Sequence, residues 1–177
     1  MLTDYVVIDL EMTGLNAKTD RILEAGAARV RGNVVTATFS EIINPKRELS
    51  EKVISLTGIT NEMAVQGKEM DATLMAFLDF IGEDILVGQN VIFDYSFLKQ
   101  WAVNHKRTFE RNAVDTLKLA RKFLPQEQKK DLASLCSYFG IERVHAHRAL
   151  DDVMETQQIF EQLQKTVSYT HLRAHET

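Results

Sequence analysis

Tyr5-Val6-Val7-Ile8-Asp9-Leu10-Glu11 decides the reading of this chain, because an apolar strand-length run turns acidic at its end. Thr13-Gly14-Leu15-Asn16 follows as a turn. Residues two apart in a strand face the same side, so Asp9 and Glu11 project together. At about 4 Å and an effective dielectric near 20, two such anions repel by roughly 4 kcal/mol, a cost that a divalent cation would reverse. The spacing alone also fits a frayed strand end with solvated charges. A pair of carboxylates at the C-terminal end of a buried strand nevertheless marks an active-site rim, and the fold is read outward from it.

Downstream, Ile22 to Val30 and Val34 to Ile43 are strand candidates joined at Arg31-Gly32-Asn33, where Gly-Asn signals an antiparallel hairpin. Short helices are predicted around Ser50 to Leu56 and Asn61 to Ala64, split by Thr57-Gly58-Ile59-Thr60, and a longer one near Asp71 to Ile81. Ile85 to Gly88 reads as a short buried strand. The segment from Phe93 carries Phe93, Phe97, Leu98 and Trp101 at helical spacing. Ala113 to Asp115 reads as a last short strand, Thr116 to Phe123 as helix up to the breaker Pro125, and Asp131 to Phe139 and Ala149 to Lys165 as the final helices. Strands first, then helices mixed with strands, indicate an α/β sandwich with a mixed sheet.

The 177 residues suit one domain, and 45% apolar with 26% charged residues is the composition of an ordinary globule. No apolar run approaches the roughly 20 residues a bilayer needs, so no membrane partner and a cytoplasmic location are expected. Cys136 is the single cysteine, which excludes an intramolecular disulfide and a cysteine-rich zinc site; it reads as a small core residue. A net charge of −4 argues against electrostatic coating of duplex nucleic acid, but not against gripping one strand end through bound cations.

Three further residues carry chemistry. Asp94 follows Gly88-Gln89-Asn90-Val91-Ile92-Phe93 directly after a predicted strand, where loops carry ligand sites; a helix N-cap is its alternative role. In His147-Arg148-Ala149-Leu150-Asp151-Asp152, an advance of 100° per residue aligns Asp152 with Thr156, Ile159 and Leu163 at the edge of the apolar stripe. Asp151 aligns with Glu155, Gln158 and Gln162 on a face read as polar and solvated, so Asp152 is the site candidate. His147 lies five residues before Asp152, about 140° away on a continuous helix, and must therefore sit in the loop or first turn to reach the same site. There an imidazole near its usual pKa of about 6.5 suits proton abstraction from water, with His145 as the competitor.

Asp9-Leu10-Glu11-Met12-Thr13-Gly14-Leu15, then Asn90-Val91-Ile92-Phe93-Asp94, then His147-Arg148-Ala149-Leu150-Asp151-Asp152 resemble, in this order, the motifs of the DnaQ-like, or DEDDh, exonucleases. The resemblance covers roughly residues 3 to 165, including Leu56-Thr57-Gly58-Ile59-Thr60 and Val114-Asp115-Thr116-Leu117. It implies a ribonuclease-H-like three-layer α/β sandwich: a mixed five-stranded sheet, its first strand central, flanked by helices. It implies that Asp9, Glu11 and Asp152 hold a first Mg²⁺ or Mn²⁺, that Asp9 bridges to a second supported by Asp94, and that His147 is the general base. Met12, Thr13, Gly14, Leu15, Asn90 and Phe93 would receive the terminal nucleotide. Gln89 stands where many members carry His, with little effect expected on the chemistry.

The implied activity is 3′-to-5′ exonucleolytic release of 5′-mononucleotides from single-stranded or frayed DNA ends, in proofreading or repair beside a DNA polymerase subunit. RNA 3′-end trimming, or a non-catalytic module that binds strand ends or a polymerase, are the alternatives. The exonuclease domain is placed at residues 1–166. The last residues, 167–177, match nothing in the family and resemble translated sequencing-adaptor DNA. They are read as a non-native or disordered tail, with a short terminal helix as the alternative.

Overall fold

The computed structural model describes residues 1–144 and 148–176, the side chains of 171–176 excepted. Strand β1 (Tyr5–Met12) pairs antiparallel with β2 (Ile22–Arg31), and β2 pairs antiparallel with β3 (Val34–Ile42). Gly32 and Asn33 between β2 and β3 both have positive φ, the backbone that a tight two-residue hairpin needs. On its other side β1 pairs in parallel with β4 (Leu86–Gly88), which pairs in parallel with β5 (Ala113–Asp115). The sheet order is thus β3-β2-β1-β4-β5, mixed, five-stranded and centred on β1, as the sequence led us to expect.

Strand alternation sorts β1 into two faces. Val6, Ile8 and Leu10 enter a core with α3 (Met70–Ile81) and α4 (Val91–Asn104), through Leu74, Phe77, Phe97 and Leu98. Tyr5 and Val7 face the opposite way, onto Val153 and Phe160 of α7 (Ala149–Glu176). Tyr5 and Phe160 meet edge to face with centroids 5.0 Å apart. Helices α5 (Thr116–Phe123) and α6 (Leu132–Phe139) extend this second layer around buried Leu135, Cys136, Ile159 and Leu163. The short helices α1 (Glu51–Thr57) and α2 (Asn61–Val65) cover Leu23 at the start of β2. Far ends of the sequence meet: Leu2 N donates to Gln164 Oε1 at 2.7 Å, and Gln164 Nε2 returns to Leu2 O at 3.0 Å.

Two boundaries move from their expected places. Helix α4 begins at Val91 rather than Phe93, directly after Asn90 in a left-handed conformation. Helix α7 continues through Glu176 rather than ending at Lys165. No helix among the described residues is long and apolar enough to cross a membrane.

Candidate active site

Because Tyr5, Val7, Asp9 and Glu11 share one face of β1, the strand that packs its apolar half on α7 must present its acidic half to the start of the same helix. Asp152 stands there, buried in the first turn of α7. Asp9, Glu11 and Asp152 each offer a ligand atom, and these atoms lie within 4.8 Å of one another. Thr156, Ile159 and Leu163 are buried in line with Asp152, as the helical phase led us to expect. The face assigned to solvent was misjudged in part. Glu155 is only 4% exposed because Arg143 covers it, with Nε 2.9 Å from Glu155 and Nη2 3.1 Å from Asp152.

Asp94 is not the N-cap of α4; it sits in the helix's first turn, buried, and its Oδ2 accepts from Leu10 N at 3.3 Å. That bond holds the Asp94 carboxylate at the acidic end of β1, and its charge acts on Asp9 and Glu11. Its ligand atoms are not among the three that converge. Asn90 uses no side-chain cap; its N–H donates to Asp115 Oδ1 at 2.8 Å, which also caps α5 through Leu117 N at 2.9 Å. The segment Val114-Asp115-Thr116 therefore sets the position of Asn90. His147 and its competitor His145 lie outside the described residues.

The loop after β1 is pinned by Asp20, which accepts from Thr13 Oγ1 at 3.3 Å and from Asn16 N at 3.0 Å. A Cβ on Gly14 would fall 2.4 Å from the Asp20 carboxylate, so only glycine passes there without displacing the pin. This leaves Leu15 81% exposed beside a pocket of about 340 Å³. Met12, Thr13, Gly14 and Phe93 line it, and so do Val53 and Leu56 of α1. The α1 wall was missed as site material, although exposed Leu56, an apolar residue turned to solvent on a short helix, is a signal of it.

Glu24 is the other residue missed. It lies opposite Glu11 in the β1–β2 register and is 1% exposed. Its carboxylate takes both Arg148 Nε, at 3.1 Å, and Nη2, at 2.7 Å, and accepts from Ala149 N at 2.8 Å. A buried anion inside an apolar strand, paired with an Arg next to a site motif, anchors the first turn of α7 against the sheet.

The electrostatics of the cluster follow from crowding. Burial first, then the carboxylates of Asp94, Glu11, Asp152 and Glu24, holds Asp9 well above the ordinary carboxylate range. Burial and then Asp152, Asp94 and Glu24 raise Glu11 to about 8, against the pull of Arg148. Burial also raises Asp94, opposed by its Leu10 hydrogen bond. Asp9 Oδ2 is a buried oxygen with no hydrogen-bond partner among the described residues. An enclosed, unsatisfied carboxylate oxygen among like charges and an all-oxygen donor set fit a hard divalent cation.

These shifts fix a pH response for the metal-free protein. Where folded pKa values of carboxyls are raised, the native state keeps protons that the unfolded chain has released. Stability must then fall as pH rises from the usual carboxyl range near 4 through about 8, the value for Glu11. Melting followed by circular dichroism in EDTA is expected to show Tm dropping between pH 5 and pH 8.5, with each ~1 kcal/mol read as about 2–4 °C. Saturating Mg²⁺ or Mn²⁺ should flatten that slope; a Tm that holds steady or rises in EDTA would contradict the crowding.

Comparison with known proteins agrees with this geometry. The RNase_T exonuclease profile matches residues 6–160. The DNA polymerase III subunit epsilon of Aquifex aeolicus is 37% identical over 157 residues, spanning 88% of this chain and 78% of that protein. Among solved structures, E. coli exonuclease I in complex with a dT13 oligonucleotide superposes with a TM-score of 0.80 at 19% identity, over 99% of this chain and 44% of that one. Exonuclease X in complex with 5′ overhanging duplex DNA gives 0.73 at 22% identity, over 91% of each. The two structures establish the shared ribonuclease-H-like fold, and the profile with the epsilon subunit establishes kinship: this chain belongs to the RNase_T exonuclease family.

Proposed function

We propose that this chain is a metal-dependent 3′-to-5′ exonuclease that releases 5′-mononucleotides from single-stranded or frayed DNA ends. One observation carries the reading: Asp9, Glu11 and Asp152 converge beside a pocket of nucleotide size formed by the loop after β1 and by α1. Asp9, Glu11 and Asp152 would hold one Mg²⁺ or Mn²⁺, and Asp9 with Asp94 a second. The chemistry supplied by such a bound pair is acidification of water and neutralisation of charge on the leaving 3′ oxygen. His147 takes the proton from the attacking water. Met12, Thr13, Gly14, Leu15 and Phe93, which line the pocket, would receive the terminal sugar and base, with Asn90 beside them on the neighbouring cleft. Glu24 and Arg148 hold the start of α7, and so Asp152, at a fixed distance from β1.

The kinship with an epsilon subunit supports a cytoplasmic role in replication, with a DNA polymerase subunit as partner. A domain boundary near residue 166, with 167–177 as a tail, is supported by Leu163 being the last buried apolar residue among those described.

The test is product analysis on 3′- and 5′-labelled DNA and RNA of matched sequence, with and without EDTA. Mononucleotides released stepwise from the 3′ end of DNA, abolished by EDTA, are expected. Release from the 5′ end, internal cuts or indifference to EDTA would refute the reading. Faster trimming of RNA would reassign the substrate, and binding without shortening would make the chain a strand-end module.

A further inference from the structure

Beyond the acidic centre the chain carries the opposite charge. Between residues 118 and 130 lie five cations, Lys118, Arg121, Lys122, Lys129 and Lys130, against one anion, Glu127, in a chain whose net charge is −4. All but Lys130 are exposed. Three of them gather: Arg121 at the end of α5 and Lys129 and Lys130 before α6 line a cleft of about 630 Å³ together with Gln126, Asn90 and one acid, Asp131. Asn90 stands at one end of this cleft, and Phe93 and Asp94, one turn along α4, line the nucleotide pocket. The two clefts therefore adjoin at the start of α4.

The loop that carries the lysines is fastened to the site. Gln89, at the end of β4, donates through Nε2 to Lys130 O at 2.8 Å and accepts from Thr116 Oγ1 at 2.6 Å. The Lys130 ammonium closes the loop on itself by donating to Pro125 O and Gln128 O. Arg121 and Lys129 are thus presented from a braced surface next to Asn90, which lowers the ordering cost of any contact they make.

Resting on the exonuclease reading, we propose that this cleft binds the phosphodiester backbone of the substrate outside its terminal nucleotide. An acidic centre repels a strand's phosphates, and the terminal one alone is compensated there. The cations adjoining the pocket, three against the one acid Asp131, supply the matching charge for the rest. The cleft then sets affinity for long strands and leaves the bond-breaking step untouched.

The test is the double charge reversal Arg121→Glu/Lys129→Glu, which spares Lys130 and every residue of the acidic centre. Steady-state cleavage would be compared on a long single strand, on a duplex with a frayed 3′ end, and on the p-nitrophenyl ester of thymidine 5′-monophosphate, which is too short to reach the cleft. KM for the long strand should rise about tenfold or more at low salt, and the slope of log KM against log salt should shrink by roughly 0.7 per lost contact. Turnover of the ester should stay at the wild-type rate, and Arg121→Lys/Lys129→Arg should restore KM. A defect on single strands assigns the cleft to the cleaved strand; one confined to the duplex assigns it to the complementary strand. Unchanged KM and salt slope, or equal loss on the ester, would overturn the proposal. If the wild type cleaves nothing, the exonuclease reading fails by itself. Fluorescence anisotropy of a labelled strand still reads the cleft, and equal affinity of wild type and double variant would then overturn it.

Discussion

The Asp9→Asn protein is expected to lose metal-dependent nuclease turnover by about a thousandfold or more, roughly 4 kcal/mol of transition-state stabilisation, while melting no lower than wild type in EDTA. The two halves of this expectation come from one site. Asp9 faces the ligand atoms of both Glu11 and Asp152, and its buried Oδ2 has no hydrogen-bond partner among the described residues. An amide keeps the shape, removes one anion from a crowd of like charges and can donate to a neighbouring carboxylate. It cannot replace an anionic ligand. Metal-free stability should therefore hold or rise while activity collapses, measured by oligonucleotide cleavage and by thermal melting in EDTA. Wild-type turnover in Asp9→Asn would remove Asp9 from the centre. A sharp fall in Tm would mean that the carboxylate supports the fold.

Gly26→Ala is expected to damage stability and activity together, because Gly26 lies opposite Asp9 in the β1–β2 register and under the start of α7. An added Cβ would stand 2.8 Å from the Ala149 carbonyl carbon and 3.0 Å from Leu150 N. These are backbone atoms, so the helix itself must move. Overpacking of this kind costs about 1–3 kcal/mol, a Tm loss of roughly 5 °C. The helix that lifts is the one that carries Asp152, and a displacement near 1 Å at a reacting centre can cost about a hundredfold in rate. Activity assayed well below the lowered Tm separates the effects. A folded Gly26→Ala protein with wild-type turnover would show that α7 does not need this close approach to place Asp152.

Much of this architecture could be read from the residues because local rules agreed with the global fold. The period-2 pattern of Tyr5 to Glu11 placed both acids on one face, and the Gly32-Asn33 turn fixed the β2–β3 hairpin. The phase of α7 chose Asp152 over Asp151. The residues missed depend on long-range contact. Glu24 looks like a strand acid until Arg148, 124 positions later, is brought to it. Glu155 looked solvated because nothing in the helix's own periodicity announces the covering Arg143. Asp94 reads as a site residue in the sequence, but its alternative reading as an N-cap is set aside only by its partner Leu10 N, 84 positions away on the central strand.

The Leu2–Gln164 clasp closes the same long loop that brings Asp152 to Asp9 and Glu11. Loop closure of that length comes late, after local hairpins and helices have formed, so a growing polypeptide holds its acids apart until α7 docks. The centre is therefore complete only once α7 has docked, and a divalent cation that binds only the assembled centre adds its binding free energy to that docking. A partly made chain meets nucleic acid without a blade; the blade and the finished fold arrive together.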